Sequence, residues 1–304
     1  MDDDEISCGL VTITGRANVG KSTLLNTLLG EKVSIITEKA QTTRHKIRGI
    51  LNQPDHQIIF TDCPGIHKPH DELGEQLNSR VYETLGKTDV ILFVVDVASG
   101  WGTGDQFVAD KLRNESAPVI VAANKIDRLS DDQRQEELQK IKEYSDWNDV
   151  IPVSATAGTN TDALLSTIVE QLPRGPRLYP EHTLVDRDLV FRISEIIREK
   201  SMQITREEVP HSLEVTVDRF EEGEDPDVQV VEATVFVERE SQKGIIIGDG
   251  GRRIRRIGKD ARGEIEGLID SQVYLDLHVS VLKNWTEDKK KIRSLENRKG
   301  QLVS

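Results

Sequence analysis

Gly15-Arg16-Ala17-Asn18-Val19-Gly20-Lys21-Ser22, followed by Thr23, has the spacing GxxxxGK[ST]. These residue types suit a polyphosphate. The glycines let the backbone curl until successive N–H groups face inward, and a following helix adds positive potential at its N-terminus. Lys21 can reach the β- and γ-phosphates of a nucleoside triphosphate, and the Ser22 hydroxyl can ligate Mg²⁺. A second set is Asp62-Cys63-Pro64-Gly65-Ile66. Behind a phosphate loop, Asp62 is expected to hold Mg²⁺ through water and the Gly65 N–H to meet a γ-phosphate oxygen. Read alone, the same residues are an Asp-x-Pro-Gly turn. Between the two sets lies the polar stretch Gln41-Thr42-Thr43-Arg44. A threonine there can close on Mg²⁺ while the γ-phosphate is present and release it after hydrolysis. Thr43 is the first choice and Thr42 the reserve; a plain surface loop is the alternative.

A third set would choose the base. In Asn124-Lys125-Ile126-Asp127, the Asp127 carboxylate can accept from N1–H and the 2-amino group of guanine. Adenine offers neither donor there, and a carboxylate left buried and unpaired discriminates by as much as ~10⁴-fold. Lys125 would lie along the ring and Asn124 would tie the loops together. Farther on come Ser154 and Ala155, whose N–H is expected at guanine O6. Each set could arise by chance; their order along the chain points to a GTPase rather than an ATPase or a small-molecule kinase.

Such sites need particular elements, and the chain supplies them. Apolar strand-like runs at Leu10–Thr14, Gln57–Thr61, Val119–Ala123 and Val150–Val153 each precede one of these sets. Helical segments at Lys21–Leu29, Leu77–Leu85, Gln106–Arg113, Asp131–Tyr144 and Thr161–Leu172 alternate with the strands, as do further strands at Ile47–Leu51 and Val90–Asp96. That alternation predicts an α/β domain, a mostly parallel sheet with helices on both faces, over residues 1–173. The proline-rich run Pro173–Pro180 predicts a linker over 174–187. Residues 188–304 then change pattern: a helix at Leu189–Met202, two alternating strands at Leu213–Phe220 and Val228–Glu238 around the acidic loop Glu221–Asp227, a helix at Arg252–Leu268 broken near Gly258 and Gly263, a strand at Val273–Val281, and a short helix from about Trp285.

That α-β-β-α-α-β order frames a GxxG loop, Gly248-Asp249-Gly250-Gly251, ahead of a basic helix. This is the pattern of a KH domain, here of type II, in which GxxG clamps the backbone of about four nucleotides. Ile245, Ile246, Ile247 and Ile254 are expected to floor the base-binding groove; Arg252, Arg253, Arg255, Arg256 and Lys259 offer phosphate contacts. The whole chain of 304 residues has net charge −13, which argues against indiscriminate coating of nucleic acid. Arg239–Arg262, however, carries eight Lys or Arg against three Asp or Glu. That island is either a docking surface or a solvated helix face. Cys8 and Cys63 form neither a disulfide framework nor a zinc spacing, the acidic Met1–Glu5 does not read as a secretory signal, and no apolar run would span a bilayer.

The segments GRANVGKSTLLN, AQTTRHKIRGI, DCPGIH, NKID, VSATAG, SEIIREK and VERESQKGIIIG, with the GxxG loop, resemble the Era family of bacterial GTPases from about Glu5 to Val281. The resemblance implies a GTP/GDP switch whose KH domain binds the 3′ end of 16S rRNA and acts late in 30S assembly. It implies a cytoplasmic protein, expected to be a monomer, with some peripheral association with the inner membrane. A membrane-cycling GTPase whose KH-like domain binds protein or lipid is the second reading, and a non-enzymatic RNA-binding scaffold the third. Ras-like switches orient water with a glutamine at the position of Ile66, which cannot hydrogen-bond, so slow intrinsic turnover is expected. Asn18 either ligates K⁺ near the β/γ bridge or merely stabilises its loop. Three departures stand out: Ala17 where Era proteins usually have proline, Cys63 where threonine is common, and Asp249 where a basic residue is usual.

Overall fold

The computed structural model describes residues 5–37, 39, 42–66, 71–205 and 209–299. It divides into two compact units, the first running to Asp186 and the second from Arg187. Thr37, Lys39 and Thr42, with the short stretch 71–73, group with the second unit.

The first unit is built on strands β1 (Ile6–Thr14), β2 (Ile47–Asn52), β3 (His56–Asp62), β4 (Val90–Asp96), β5 (Val119–Asn124), β6 (Asp149–Val153) and the two-residue β7 (Arg174–Gly175). The order is β2-β3-β1-β4-β5-β6, with β7 on β1. β2 and β7 run antiparallel to their neighbours and the other pairs are parallel. β4 shows why the sheet must be covered twice. Its seven residues are all buried. Val90, Leu92 and Val94 enter a core with Leu24, Leu25 and Leu28 of helix α1 (Lys21–Leu29) and Leu164 and Ile168 of α5 (Thr161–Gln171). Ile91, Phe93 and Val95 enter a second core on the other face. That core includes Val81 of α2 (Glu72–Leu85), Val108 and Leu112 of α3 (Thr103–Leu112), and Ile141 of α4 (Asp131–Tyr144). Side chains that alternate faces and are apolar from Val90 to Val95 require helices on both sides.

The stretch expected as a linker is sewn to this unit. Besides the β7 pairing, Leu178 and Tyr179 N–H groups donate to Gln57 Oε1 at 2.7 and 3.0 Å, and Ile50 N–H donates to the Leu184 carbonyl at 2.8 Å. Prolines cannot continue a helix, but extended backbone can still satisfy a sheet edge.

The second unit holds a three-stranded sheet, β8 (Glu214–Glu222), β9 (Val228–Val237) and β10 (Gln272–Val281), in the order β10-β9-β8. β8 and β9 are antiparallel; β9 and β10 are parallel and therefore need a crossover. The crossover differs from expectation. Two helices make it, α7 (Glu240–Ile247) and α8 (Arg252–Ile269), and GxxG lies between them. α8 is continuous through Gly258 and Gly263. A helical glycine costs about 1 kcal/mol relative to alanine, but Ile257, Ala261 and Ile265 recur every fourth residue and are fully buried, which outweighs it. Their partners include Ile193 and Ile197 of α6 (Leu189–Ile204) and Val215, Val231 and Val235 of the sheet. A last helix, α9, spans Lys289–Arg298. Among the described residues no helix is long and apolar enough to cross a membrane.

Candidate functional site

The loop Gly15–Ser22 joins β1 to α1, and its glycines are imposed by space as well as by dihedral angle. Gly15 has φ 145° and a Cβ there would stand 2.4 Å from the Val94 carbonyl oxygen; Gly20 has φ 100° and a Cβ there would stand 2.4 Å from Asn124 Nδ2. Asn18 also adopts positive φ, at 63°. Gly20 caps α1 without any side-chain hydrogen bond, so the first helical N–H groups are left for an anion.

Lys21 is buried, and its Nζ donates to the Arg16 carbonyl at 2.7 Å and to the Gly15 carbonyl at 3.4 Å. Burial pulls its ammonium down to about 8, against the opposing attraction of Asp62. Asp62 ends β3 fully buried, and burial raises its carboxyl above the usual range. Its Oδ2 accepts from Ser22 Oγ at 2.7 Å, Ser34 Oγ at 2.6 Å and Thr43 Oγ1 at 3.3 Å. Ser22 Oγ and Thr43 Oγ1 are 3.1 Å apart. Asp62 Oδ1 is buried with no hydrogen-bond partner. An unmatched carboxylate oxygen costs about 1–3 kcal/mol, so the chain retains a destabilising group. A hard cation taking oxygen donors fits this set, and Ser22, Thr43 and Asp62 suit Mg²⁺. Thr42, the reserve, turns elsewhere: its Oγ1 lies 2.6 Å from Thr37 Oγ1 and 2.7 Å from the Lys39 carbonyl oxygen.

Gly65 packs against the phosphate loop, where a Cβ would meet the Ala17 nitrogen at 2.8 Å. Ile66 N–H donates to the Gly15 carbonyl at 3.1 Å, and the Ile66 side chain is 2 % exposed within the second core. It therefore cannot hold water for attack. Cys63 is fully buried, its thiol pushed up to about 12 by burial; Pro64 follows it, also buried, in extended or irregular chain without a turn.

At the end of β5, Asn124 ties three segments together. Its Nδ2 donates to the Val19 carbonyl at 2.9 Å; its Oδ1 accepts from Lys125 N–H at 2.8 Å and Ala155 N–H at 2.9 Å. The last bond corrects an expectation: the Ala155 N–H is given to Asn124, not left for guanine O6. Ser154, beside it, is buried and its Oγ accepts from Ala157 N–H at 3.2 Å. Asp127 is exposed in a short 3-10 turn over Ile126–Arg128. Lys125 Nζ donates to the Asn18 carbonyl at 2.8 Å and pairs with Asp96 at 2.6 Å.

Asp96 and Ser34 were missed in the sequence. Asp96 ends β4, beside β1, and acids at strand ends next to a phosphate-loop strand were the available signal. Ser34 had none, because only the fold brings it to Asp62.

In the second unit Gly248, Gly250 and Gly251 have φ of 68°, 56° and 76°, and Gly251 caps α8 without a side-chain hydrogen bond. Arg252, Arg253, Arg255, Arg256 and Lys259 are all exposed. Arg253 Nη1 donates to the Ile245 carbonyl at 3.0 Å, and Arg255 donates to the Gly250 and Gly251 carbonyls. Asp249 is exposed, 3.6 Å from Arg252. Beside α8 runs a groove of about 340 Å³, lined by Ile254, Arg255, Lys259, Arg262, Leu275 and Leu277, among others. Of the four isoleucines expected as its floor, Ile254 alone is there. Ile246 is fully buried in the core, and Ile245 is exposed on α7. The leucines of β10 and Arg262 stand in their place.

Residues 10–125 match the 50S ribosome-binding GTPase family and residues 208–286 match the KH domain family. GTPase Era of Staphylococcus epidermidis is 43% identical over 291 residues, covering 96% of this chain and 97% of that protein. A solved structure of an Aquifex aeolicus Era variant bound to GDP and AlF4⁻ is 40% identical with a TM-score of 0.91, covering 95% of this chain and 99% of that one. A solved Era complex with MgGDPNP and nucleotides 1506–1542 of 16S ribosomal RNA has the same identity and TM-score, covering 95% of this chain and 98% of that one.

Proposed function

We infer the function of this chain from its family: it belongs to the GTPase Era family, and it is an enzyme that hydrolyses GTP to GDP and phosphate. Its KH domain binds the 3′ end of 16S rRNA, consistent with a role in 30S assembly. The observation that carries the nucleotide assignment is the meeting of Ser22, Thr43 and Asp62 beside Lys21, with Asp62 Oδ1 unmatched. We assign Gly15–Thr23 to the phosphates, Cys63–Ile66 to the segment that senses the γ-phosphate, and Asn124, Lys125, Asp127 and Ser154 to the base side, with the Ala155 N–H holding Asn124. When bound, Mg²⁺ neutralises charge on the β- and γ-phosphates. Lys21 keeps an ammonium against the same oxygens. Asn124 holds the phosphate loop and base loop in register, and Asp127 accepts from guanine. With Ile66 in the core, no side chain at that position orients water, which supports slow intrinsic turnover.

We assign RNA phosphates to the loop Gly248–Gly251 and to Arg252, Arg253, Arg255, Arg256 and Lys259, with bases entering the groove. K⁺ near the β/γ bridge is a further proposal, resting on Asn18 at φ 63°. A cytoplasmic location with peripheral contact at the inner membrane follows the family. The test is GTP hydrolysis in K⁺ buffer, with and without RNA copying the 16S 3′ end, in wild type and Gly250→Asp. RNA stimulation in wild type alone is expected. No RNA effect, with intact GTP binding, would turn the KH module toward protein or lipid. An equal rate in Na⁺ would remove the K⁺ proposal.

A further inference from the structure

Arg16 lies inside the phosphate loop, yet its side chain leaves the loop. Its Nε donates to Asp105 Oδ1 at 2.7 Å, and the Asp105 side chain is fully buried. Asp105 sits in the first turn of α3, where its Oδ2 accepts from Gly102 N–H at 3.2 Å. One oxygen thus holds the helix start and the other holds Arg16. Burial raises the Asp105 carboxyl, and Arg16 opposes that shift. The approach depends on Gly104: a Cβ there would stand 2.5 Å from Arg16 Cδ. Gly104 is not in a left-handed conformation, so its role is to leave room.

The backbone of Arg16 is occupied as well. Its carbonyl accepts Lys21 Nζ at 2.7 Å. The Arg16–Ala17 peptide is also what Gly65 packs on, since a Cβ at Gly65 would stand 2.8 Å from the Ala17 nitrogen and 3.1 Å from the Arg16 carbonyl carbon. Gly65 is the residue assigned to the γ-phosphate, whereas the N-terminus of α1, four residues on, is the end left open to an anion. Alanine at position 17 leaves that peptide without the fixed φ of a proline.

We propose that Asp105 and Gly104 are positioning residues that pin the Arg16–Ala17 peptide on the γ-phosphate side of the loop, supporting hydrolysis more than nucleotide binding. This rests on the reading of the loop as a GTP site. A group that fixes catalytic geometry acts on the rate when it is loosened, and small misplacements suffice.

The test uses the full chain with Gly104→Ala and Asp105→Asn, measuring single-turnover hydrolysis at saturating GTP with Mg²⁺, GDP affinity and melting temperature. Gly104→Ala is the decisive variant. Alanine is the better helix former and the atom it displaces is on a flexible side chain, so melting should not fall. Expected are about tenfold slower hydrolysis in Gly104→Ala and Asp105→Asn, with GDP affinity within about threefold of wild type in both. An unchanged rate in a well-folded Gly104→Ala protein would overturn the proposal. So would a loss of GDP affinity as large as the loss of rate. Wild type that bound no GDP would be a different failure, that of the GTP reading itself.

Discussion

The molecule carries two glycine loops that each open a helix without a side-chain cap, and they are held in opposite ways. In the phosphate loop, Gly15 and Gly20 face a carbonyl oxygen and the Asn124 amide at 2.4 Å from an added Cβ, so neighbouring segments close on the backbone from outside. In the GxxG loop, an added Cβ at Gly250 would meet nothing within 4 Å, and at Gly251 nothing nearer than 3.9 Å. Both loops need positive φ; in the GxxG loop only Gly248 also lacks room, and there an added Cβ would meet the exposed Arg253 side chain at 2.7 Å rather than backbone or a buried amide. The polar groups follow suit. Lys21, Asp62 and Asn124 are buried and tied to the loop or its supports, whereas Asp249 and the arginines of α8 are exposed. A small triphosphate calls for a rigid cradle built before it arrives. A flexible strand calls for a conformable edge and screened charge.

The contrast breaks first where glycine is replaced. Gly20→Ala strains φ and presses on the amide that holds Val19, so GTP affinity should fall by more than about 100-fold, with a lower melting temperature. Gly250→Ala strains φ alone, at about 1–2 kcal/mol, and should weaken RNA binding by no more than about 30-fold while GTP binding stays at wild type. Calorimetric titration of both variants with nucleotide and RNA decides it. If Gly20→Ala lost less nucleotide affinity than Gly250→Ala lost RNA affinity, the rigid and conformable loops would have been misassigned.

The same contrast explains what could be read from the chain. The nucleotide motifs are contiguous, and each follows a strand whose apolar run is unmistakable, as with Val119–Ala123 before Asn124. Their chemistry is set by local order, so Thr43 and Asp62 could be named before they were seen to meet. Ser34, Asp96 and Asp105 lie outside any motif and act only because the sheet brings their segments together. In the second unit the glycines of α8 misled. Gly258 and Gly263 read as breaks because propensity is local, whereas the stripe Ile257, Ala261 and Ile265 buries the helix as one piece. The Gly244–Ile247 stretch looked like a groove floor, yet it is half of α7, with Ile246 committed to the core.

A smaller effect tests the buried side of the contrast. Burial holds the Lys21 ammonium near 8, and bound phosphate would raise it, so nucleotide binding takes up a proton above that pH. GDP affinity should therefore fall about tenfold between about pH 7 and pH 9 by linkage, and Lys21→Met should flatten the profile. Stability moves the other way. The folded value lies below the ordinary 10.5, so the folded chain binds fewer protons across that window and this residue's contribution to stability rises with pH. Loss of fold thus cannot imitate the loss of affinity through Lys21. A profile as steep in Lys21→Met as in wild type would assign the effect to another group.

The smallest effect belongs to the exposed side. Asp249 places a carboxylate between two glycines whose backbone would approach RNA phosphate, and its partner Arg252 is 3.6 Å away and largely exposed. Across water such a charge is screened, with a reach of about 8–10 Å at ordinary salt. Asp249→Asn should tighten binding of single-stranded RNA about two- to threefold at low salt, with the gain fading as salt rises. The carboxylate also pairs with Arg252, and removing it returns that guanidinium to the phosphates, so the two contributions add. Fluorescence anisotropy of a labelled RNA across a salt series measures both. A gain of tenfold or more, or one that salt did not erase, would mean that the loop holds RNA in a dry, fixed geometry, and its likeness to the phosphate loop would be closer than its exposure implies.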